Sequence, residues 1–313
     1  MIDVVILFFL LGLAAGLARS ELKLPAALYD SLSLVLLLAI GLKGGEGLSQ
    51  QPLGPLAPQL ALVIALGVAQ TLLGFTALRY LGGLERADAA ATAAHYGSVS
   101  VATFAVGANW LASRGIAFEP QLAIFLTVME VPAILTGIVL ARGVSREMNW
   151  RGLAHEAFLG KGVTLLLGGM AVGWIAGPEG LAPIKGLFYD LFKGALALFL
   201  LEMGLIVAQQ AGELRRRGAF IVIFGLATPP LSALLGLACA WIMGLSAGGA
   251  ALLATLAASA SYIAVPATMR LAVPEANPGL SLAAVLGVTF PFNILVGIPL
   301  YYWLASKLTG AGG

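Results

Sequence analysis

Two short stretches carry the residue types that could do chemistry. Ala257–Arg270 reads AASASYIAVPATMR, and His95–Thr103 reads HYGSVSVAT. Each holds a Ser-x-Ser pair in an apolar run, with Ser98 and Ser100 in the first and Ser259 and Ser261 in the second. Residues two apart on a regular helix point to different faces. Both hydroxyls of a pair can meet one ligand only where the backbone is irregular. Gly97 supplies a weak point upstream. Pro266 lacks an N–H, so the bond to the Tyr262 carbonyl is lost and the helix is expected to break between Ser261 and Pro266. A broken helix presents free N–H groups and a positive dipole end, which suits a small anion. Freed carbonyls, that of Tyr262 among them, suit a hard cation such as sodium. This reading puts Gly97, Ser98, Val99, Ser100, Ser259, Ala260, Ser261 and Tyr262 at a substrate site. Packing small residues between helices is the competing role for the same Ser and Gly.

A carboxylate completes the set. Glu130 sits in TVMEVPAILTG, and an acid at membrane depth is a functional candidate by default. With Ser98, Ser259 and Tyr262 it forms the expected cation-binding group, with no metal beyond sodium and no other cofactor. Pro132 loosens the same segment. Glu202, in LALFLLEMGLI, is the other deep acid, and Lys193 or an oligomer contact is its expected counterpart. Asp30 and Asp190 are read as helix caps or anchors. An intramembrane serine hydrolase built on His95 and Ser98 is the alternative of another class, but no G-x-S-x-G elbow accompanies the pair. His155, the other histidine, is placed in a loop.

These segments sit in a chain of 313 residues that is 60% apolar and only 10% charged. Soluble domains carry roughly 25% charged residues. The net charge of +2 gives no case for nucleic-acid binding, and the single cysteine, Cys239, excludes an internal disulfide. Repeated apolar runs predict an all-α polytopic membrane protein. Ten spans are expected at 2–18, 27–42, 59–80, 87–111, 120–141, 158–176, 187–208, 219–243, 247–270 and 279–305. The first span carries no basic residue ahead of it and reads as retained.

The halves repeat. Leu28-Tyr29-Asp30 matches Phe188-Tyr189-Asp190 at an offset of 160, Ile134-Leu135 matches Ile294-Leu295 at the same offset, and the Ser-x-Ser pairs match at 161. With five spans each, residues 1–155 and 156–313 form an inverted repeat of the kind found in secondary transporters, and spans 4 and 9 are the interrupted, crossing pair. Twelve of the 17 Lys and Arg residues fall in loops on one side, Arg215–Arg217 among them, and four on the other. That bias places the first side in the cytoplasm and both termini outside.

Several motifs resemble the sodium-dependent bicarbonate transporter family of bacteria: SELKLP at 20–25, IGLKGG at 40–45, MEVPAILT at 129–136, FKGALALFLLEMGL from 192, and ASASYIAVPATMR with PEANP at 274–278. The likeness covers nearly the whole chain. It implies a bacterial inner-membrane permease with a gate part from spans 1, 2, 6 and 7 and a core part from spans 3–5 and 8–10. It also implies a homotrimer, alternating access, transport of bicarbonate with sodium, and a PII-like cytoplasmic regulator in some members. Another small organic anion, or proton coupling, is the alternative cargo or drive. Photosynthetic-type members are similar to S-S-S-S-D-I-S-G-P-P where this chain has Ala258–Ala267, so Tyr262 stands in place of Asp. Glu130 stands where they have Asp, and the insert between the halves is reduced to 142–157. Loss of the Asp carboxylate leads to an expectation of weaker sodium dependence, with Glu130 as the residual ligand or a proton carrier.

Overall fold

The computed structural model describes residues 3–50, 56–143 and 159–310, with Gly152 and His155 between them. The described residues are helical, without a strand. Lipid leaves no water to satisfy a backbone, so helices close their own hydrogen bonds. In chain order they are α1 (Val4–Leu17), α2 (Ala26–Leu48), α3 (Leu56–Leu81), α4 (Arg86–Gly97), α5 (Val101–Ala112) and α6 (Leu122–Arg142). Then come α7 (Lys161–Leu181), α8 (Phe192–Arg217), α9 (Ala219–Met243), α10 (Ala247–Ala258), α11 (Ala264–Ala272) and α12 (Pro278–Leu308). Seven of them, α2, α3, α6, α7, α8, α9 and α12, are long and apolar enough to cross a membrane. The chain is thus a multi-pass membrane protein. The expected stretches 87–111 and 247–270 are each split between two shorter helices.

Four helices pair through glycine. Small residues let backbones approach where no hydrophobic effect drives helices together. G-x-x-x-G spacings occur at Gly12/Gly16 in α1, Gly41/Gly45 in α2 and Gly169/Gly173 in α7. A Cβ on Gly45 would lie 2.0 Å from the Met170 carbonyl oxygen, and one on Gly173 would lie 2.3 Å from that of Leu42. Likewise a Cβ on Gly12 would lie 2.0 Å from the Leu201 oxygen, and one on Gly204 would lie 2.3 Å from that of Phe9. So α2 is locked to α7, and α1 to α8. The remaining helices form a second group, in which α3 packs on α4, α4 on α6, and α10 on both α9 and α12.

Polar contacts mark the two ends of the bundle. At one, Asp30 pairs with Lys161 at 3.5 Å and Arg142 with Glu275 at 2.8 Å. At the other, Asp3 caps α1, lies 3.8 Å from Lys193 and accepts from Asn109 and Ser113. Three sequence expectations change here. Asp30 does not cap α2, which begins four residues earlier behind Pro25. Asp190 ends a π-turn, Gly186–Asp190, instead of starting a helix. Lys193 answers Asp3, and Glu202, nine residues further along α8, keeps one buried carboxylate oxygen without a hydrogen bond. The basic segment 142–157 lies largely outside the described residues.

Candidate functional site

Both Ser-x-Ser stretches are breaks between helices. The first is Ser98–Ser100, between α4 and α5. Ser98 is extended (φ −86°, ψ −178°), and Ser100 caps α5 by accepting from the Thr103 N–H at 3.2 Å. The second runs from Ser259 to Ile263, between α10 and α11, and Ser259 is extended in the same way (φ −83°, ψ 170°). Serine favours such points because its hydroxyl offers the backbone an alternative partner. The break thus starts earlier than the proline suggests. Pro266 lies inside α11, at its third residue, where a missing N–H costs nothing because the first-turn donors have no partner in the helix.

The two breaks meet. The Ser261 N–H donates to the His95 carbonyl at 2.9 Å, and the Ser100 N–H donates to Ser259 Oγ at 2.8 Å. His95 Nδ1 lies 2.6 Å from the Ser261 carbonyl oxygen. A carbonyl can only accept, so the Nδ1 carries the proton. His95 thus ties the breaks together, and no hydrogen bond joins it to Ser98. The Ser–His contact that a hydrolase needs is not made among the described residues.

Gly97 and Gln70 show why the crossing holds. A Cβ on Gly97 would fall 1.8 Å from Thr71 Oγ1 and 2.7 Å from the Gly67 carbonyl oxygen, so α3 and α4 touch here backbone to backbone. The last carbonyls of α10, orphaned by the break, are taken by side chains. Gln70 Nε2 donates to Ala257 O at 2.7 Å, and Asn293 Nδ2 to Ala258 O at 2.8 Å, with Asn293 oriented by Tyr301 at 2.7 Å. Gln70 and Asn293 went unassigned in the sequence reading. Their signal was plain: an amide in an otherwise apolar span rarely lacks a role.

Three side-chain oxygens around the crossing are buried without a hydrogen-bond partner: Ser98 Oγ, Tyr262 Oη and Gln70 Oε1. The Tyr262 ring stands edge-on to Phe290, 5.8 Å between centres. Ser98, Ser100, Ser259 and Ser261 are all buried, at 2% exposure or less. Val99 and Ala260 are buried as well. Ser100 and Ser259 spend their hydroxyls on the breaks themselves, Ser259 also donating to Leu256 O at 2.7 Å.

A cavity of about 250 Å³ opens from the Asp30–Lys161 end and reaches Ile263 of the second break and Val101 just after the first, while Ser98, Ser100, Ser259, Ser261 and Tyr262 lie outside its lining. Val101 and Ala264, the first residues of α5 and α11, line it, and so does Glu130. Glu130 follows Met129, where the regular bonding of α6 lapses, and it pairs with no cationic side chain among the described residues. A second cavity, of about 450 Å³, opens at the other end and is lined by Lys43, Asn109 and Tyr189. A small pocket of about 20 Å³, lined by Leu36, Leu37, Ala105 and Phe199, adjoins the first cavity through Ser33, Leu37, Val101 and Ile263. One stripe of α2 (Ser33, Leu37, Ile40, Gly44) and one of α5 (Val101, Ala105, Ala108) run through all three.

The family profile of the Na+-dependent bicarbonate transporter superfamily matches residues 4–306. The chain belongs to this superfamily. The match takes in every helix named above, both breaks and Glu130. No curated protein matches the chain. Membership makes this a transporter rather than an enzyme by family, and no group of three or more His, Cys, Asp or Glu side chains that could hold a metal occurs among the described residues.

Proposed function

We propose that the chain is a secondary transporter of a small monovalent anion, bicarbonate first, working by alternating access. One observation carries this reading: the N-termini of α5 and α11 and the carboxyl group of Glu130 line a single cavity of about 250 Å³. Helix N-termini direct unpaired N–H groups and positive dipole ends at an anion. In this reading the substrate passes from that cavity to residues 97–101 and 259–264, where Ser98 and Tyr262 offer their unpartnered hydroxyls. A cation beside it is held by oxygen: Glu130 with Ser98, Ser259 and Tyr262. Oxygen donors suit a hard cation, and Glu130 supplies the one negative charge.

The reading extends to architecture. Ten spans form an inverted repeat of residues 1–155 and 156–313. The glycine-locked helices α1, α2, α7 and α8 are the gate, and the rest, with both breaks, the core. Superfamily membership and the twelve-to-four charge bias support a bacterial inner-membrane permease with both termini outside. A homotrimer and a PII-like cytoplasmic regulator follow from the resemblance alone.

The test is uptake of labelled bicarbonate into proteoliposomes, with and without a sodium gradient. Uptake that rises with sodium and loses that dependence in Glu130→Gln supports the whole scheme. Uptake driven instead by a proton gradient assigns Glu130 to proton transfer. Folded protein with no uptake in either condition removes the reading. Tyr262→Asp should steepen sodium activation, because it restores a carboxylate at the break.

A further inference from the structure

Gln70 is buried in α3, at 4% exposure, and only half of its amide is used. Its Nε2 donates to the Ala257 carbonyl at 2.7 Å. A carbonyl only accepts, so this bond fixes which end of the amide is which. Oε1 is the remaining end, with no hydrogen-bond donor among the described residues. A buried acceptor left bare is costly, and buried polar atoms as a rule have a partner. The residue stands where the two breaks cross. Its amide meets the last turn of α10, two residues before Ser259. Its neighbour Thr71 presses on Gly97, just before Ser98, where a Cβ would lie 1.8 Å from Thr71 Oγ1. Ser98 Oγ, at 1% exposure, is likewise without a partner.

The two groups differ in chemistry. A hydroxyl can donate or accept, whereas an amide oxygen can only accept. Helix N-termini and a hydroxyl attract any small anion. A bare acceptor beside them repels an anion that carries no hydrogen and bonds one that carries an O–H. We propose that Gln70 is a specificity-determining residue: its Oε1 accepts the hydroxyl hydrogen of the substrate while Ser98 donates to one of the charged oxygens. The inference rests on the transport reading and narrows it. The cargo is a small monovalent oxyanion with one O–H, a class that includes bicarbonate and excludes nitrate.

Nitrate is the probe, because it shares the charge and planar shape of bicarbonate but has no hydrogen. Purified protein in detergent should be titrated with each anion at one fixed pH and sodium concentration. Thermal unfolding is the readout, since a ligand of the folded state raises its stability. Wild type should bind bicarbonate roughly tenfold to hundredfold more tightly than nitrate, the weight of a buried acceptor filled instead of left bare. Gln70→Met should bring bicarbonate down to the nitrate value and leave nitrate bound at least as well as before. Gln70→Asn, whose amide stops one methylene short, should do the same and replaces the methionine variant if that one does not fold. Asn293→Ala removes the matching bond to the next carbonyl, that of Ala258, and should keep the preference. Equal loss of preference in Asn293→Ala means that Gln70 works through the end of α10, and overturns the inference. So does a preference that survives in Gln70→Met, even with sodium dependence lost, which would make Oε1 a cation ligand. Uptake of bicarbonate with no preference over nitrate also overturns it and leaves the transport reading standing. Neither binding nor uptake of either anion by folded wild type removes both.

Discussion

The two breaks look alike in sequence and differ in what they leave open. The first is three residues long: Ser100 caps α5, its own N–H is taken by Ser259, and Ser98 keeps its hydroxyl without a protein partner. The second is five residues long, and α11 starts behind Ile263 with no side-chain cap. The same Ser-x-Ser spacing therefore leaves one helix start capped by serine and the other without a side-chain cap. Spacing alone cannot separate these, because the difference lies in which hydroxyl reaches across to the other break.

Substitutions at matched positions can break this comparison. The largest effect is expected from Gly97→Ala. The added methyl would meet a backbone oxygen and Thr71 Oγ1, which is itself bonded to Gly67 at 2.9 Å. A loss of about 3 kcal/mol, the upper end for overpacking, is expected. Thermal unfolding in detergent should show it, and Thr71→Ala should recover part of it by clearing the nearer atom. Full stability in Gly97→Ala would mean that α3 and α4 do not touch as closely as described.

Ser259→Ala comes next. It strips the Ser100 N–H of its acceptor inside the protein, at a cost of about 1–3 kcal/mol for a buried donor left unpaired. Ser98→Ala, the matched change in the first break, removes a hydroxyl with no protein partner, so unfolding should not move. Its expected effect is on substrate: KM for uptake should rise roughly threefold to tenfold, the weight of one hydrogen bond. Equal destabilisation by the two alanines would mean that Ser259 Oγ does not hold the Ser100 N–H.

The smallest effect concerns the outer end of the second stretch. Arg142 closes α6 and grips Glu275, just beyond α11, and both side chains are largely exposed. Removing the pair with Arg142→Ala should cost no more than a few tenths of a kcal/mol. The Arg142 hydrogen bond holds the Glu275 carboxyl below its usual value. A depressed acid contributes stability above its unfolded pKa of about 4.3, and that contribution fades as pH falls through the lower, folded value. Unfolding curves of wild type and Arg142→Ala should therefore converge in acid.

Much of this was legible before any coordinates. Apolar runs place the helices because lipid allows little else, and the paired serines mark both breaks. The mechanism of the second break was not legible. Proline in an apolar run reads as a breaker, yet a proline in a first turn fits a helix that has already begun. Only the position of Ala264 as the start of α11 tells the two apart. Asp30 misled for a similar reason, since the helix it was taken to cap begins one turn earlier. Gln70 shows a different limit. Its partner, the Ala257 carbonyl, is 187 residues away, and local sequence does not announce a bond at that separation.

The glycine contacts have a mechanical consequence. Where a methyl group would collide with a carbonyl oxygen at 2.0 Å, two helices are interlocked like the teeth of a zip. Sliding α1 along α8, or α2 along α7, would drive the next side chain into that backbone. Each of the two pairs therefore resists sliding along its own seam. The face where α2 meets α5 is of another kind, with Leu36 and Leu37 set against Ala102 and Ala105. Leucine side chains can change rotamer where a glycine seam cannot yield, so in the transport cycle proposed above any sliding falls to that face.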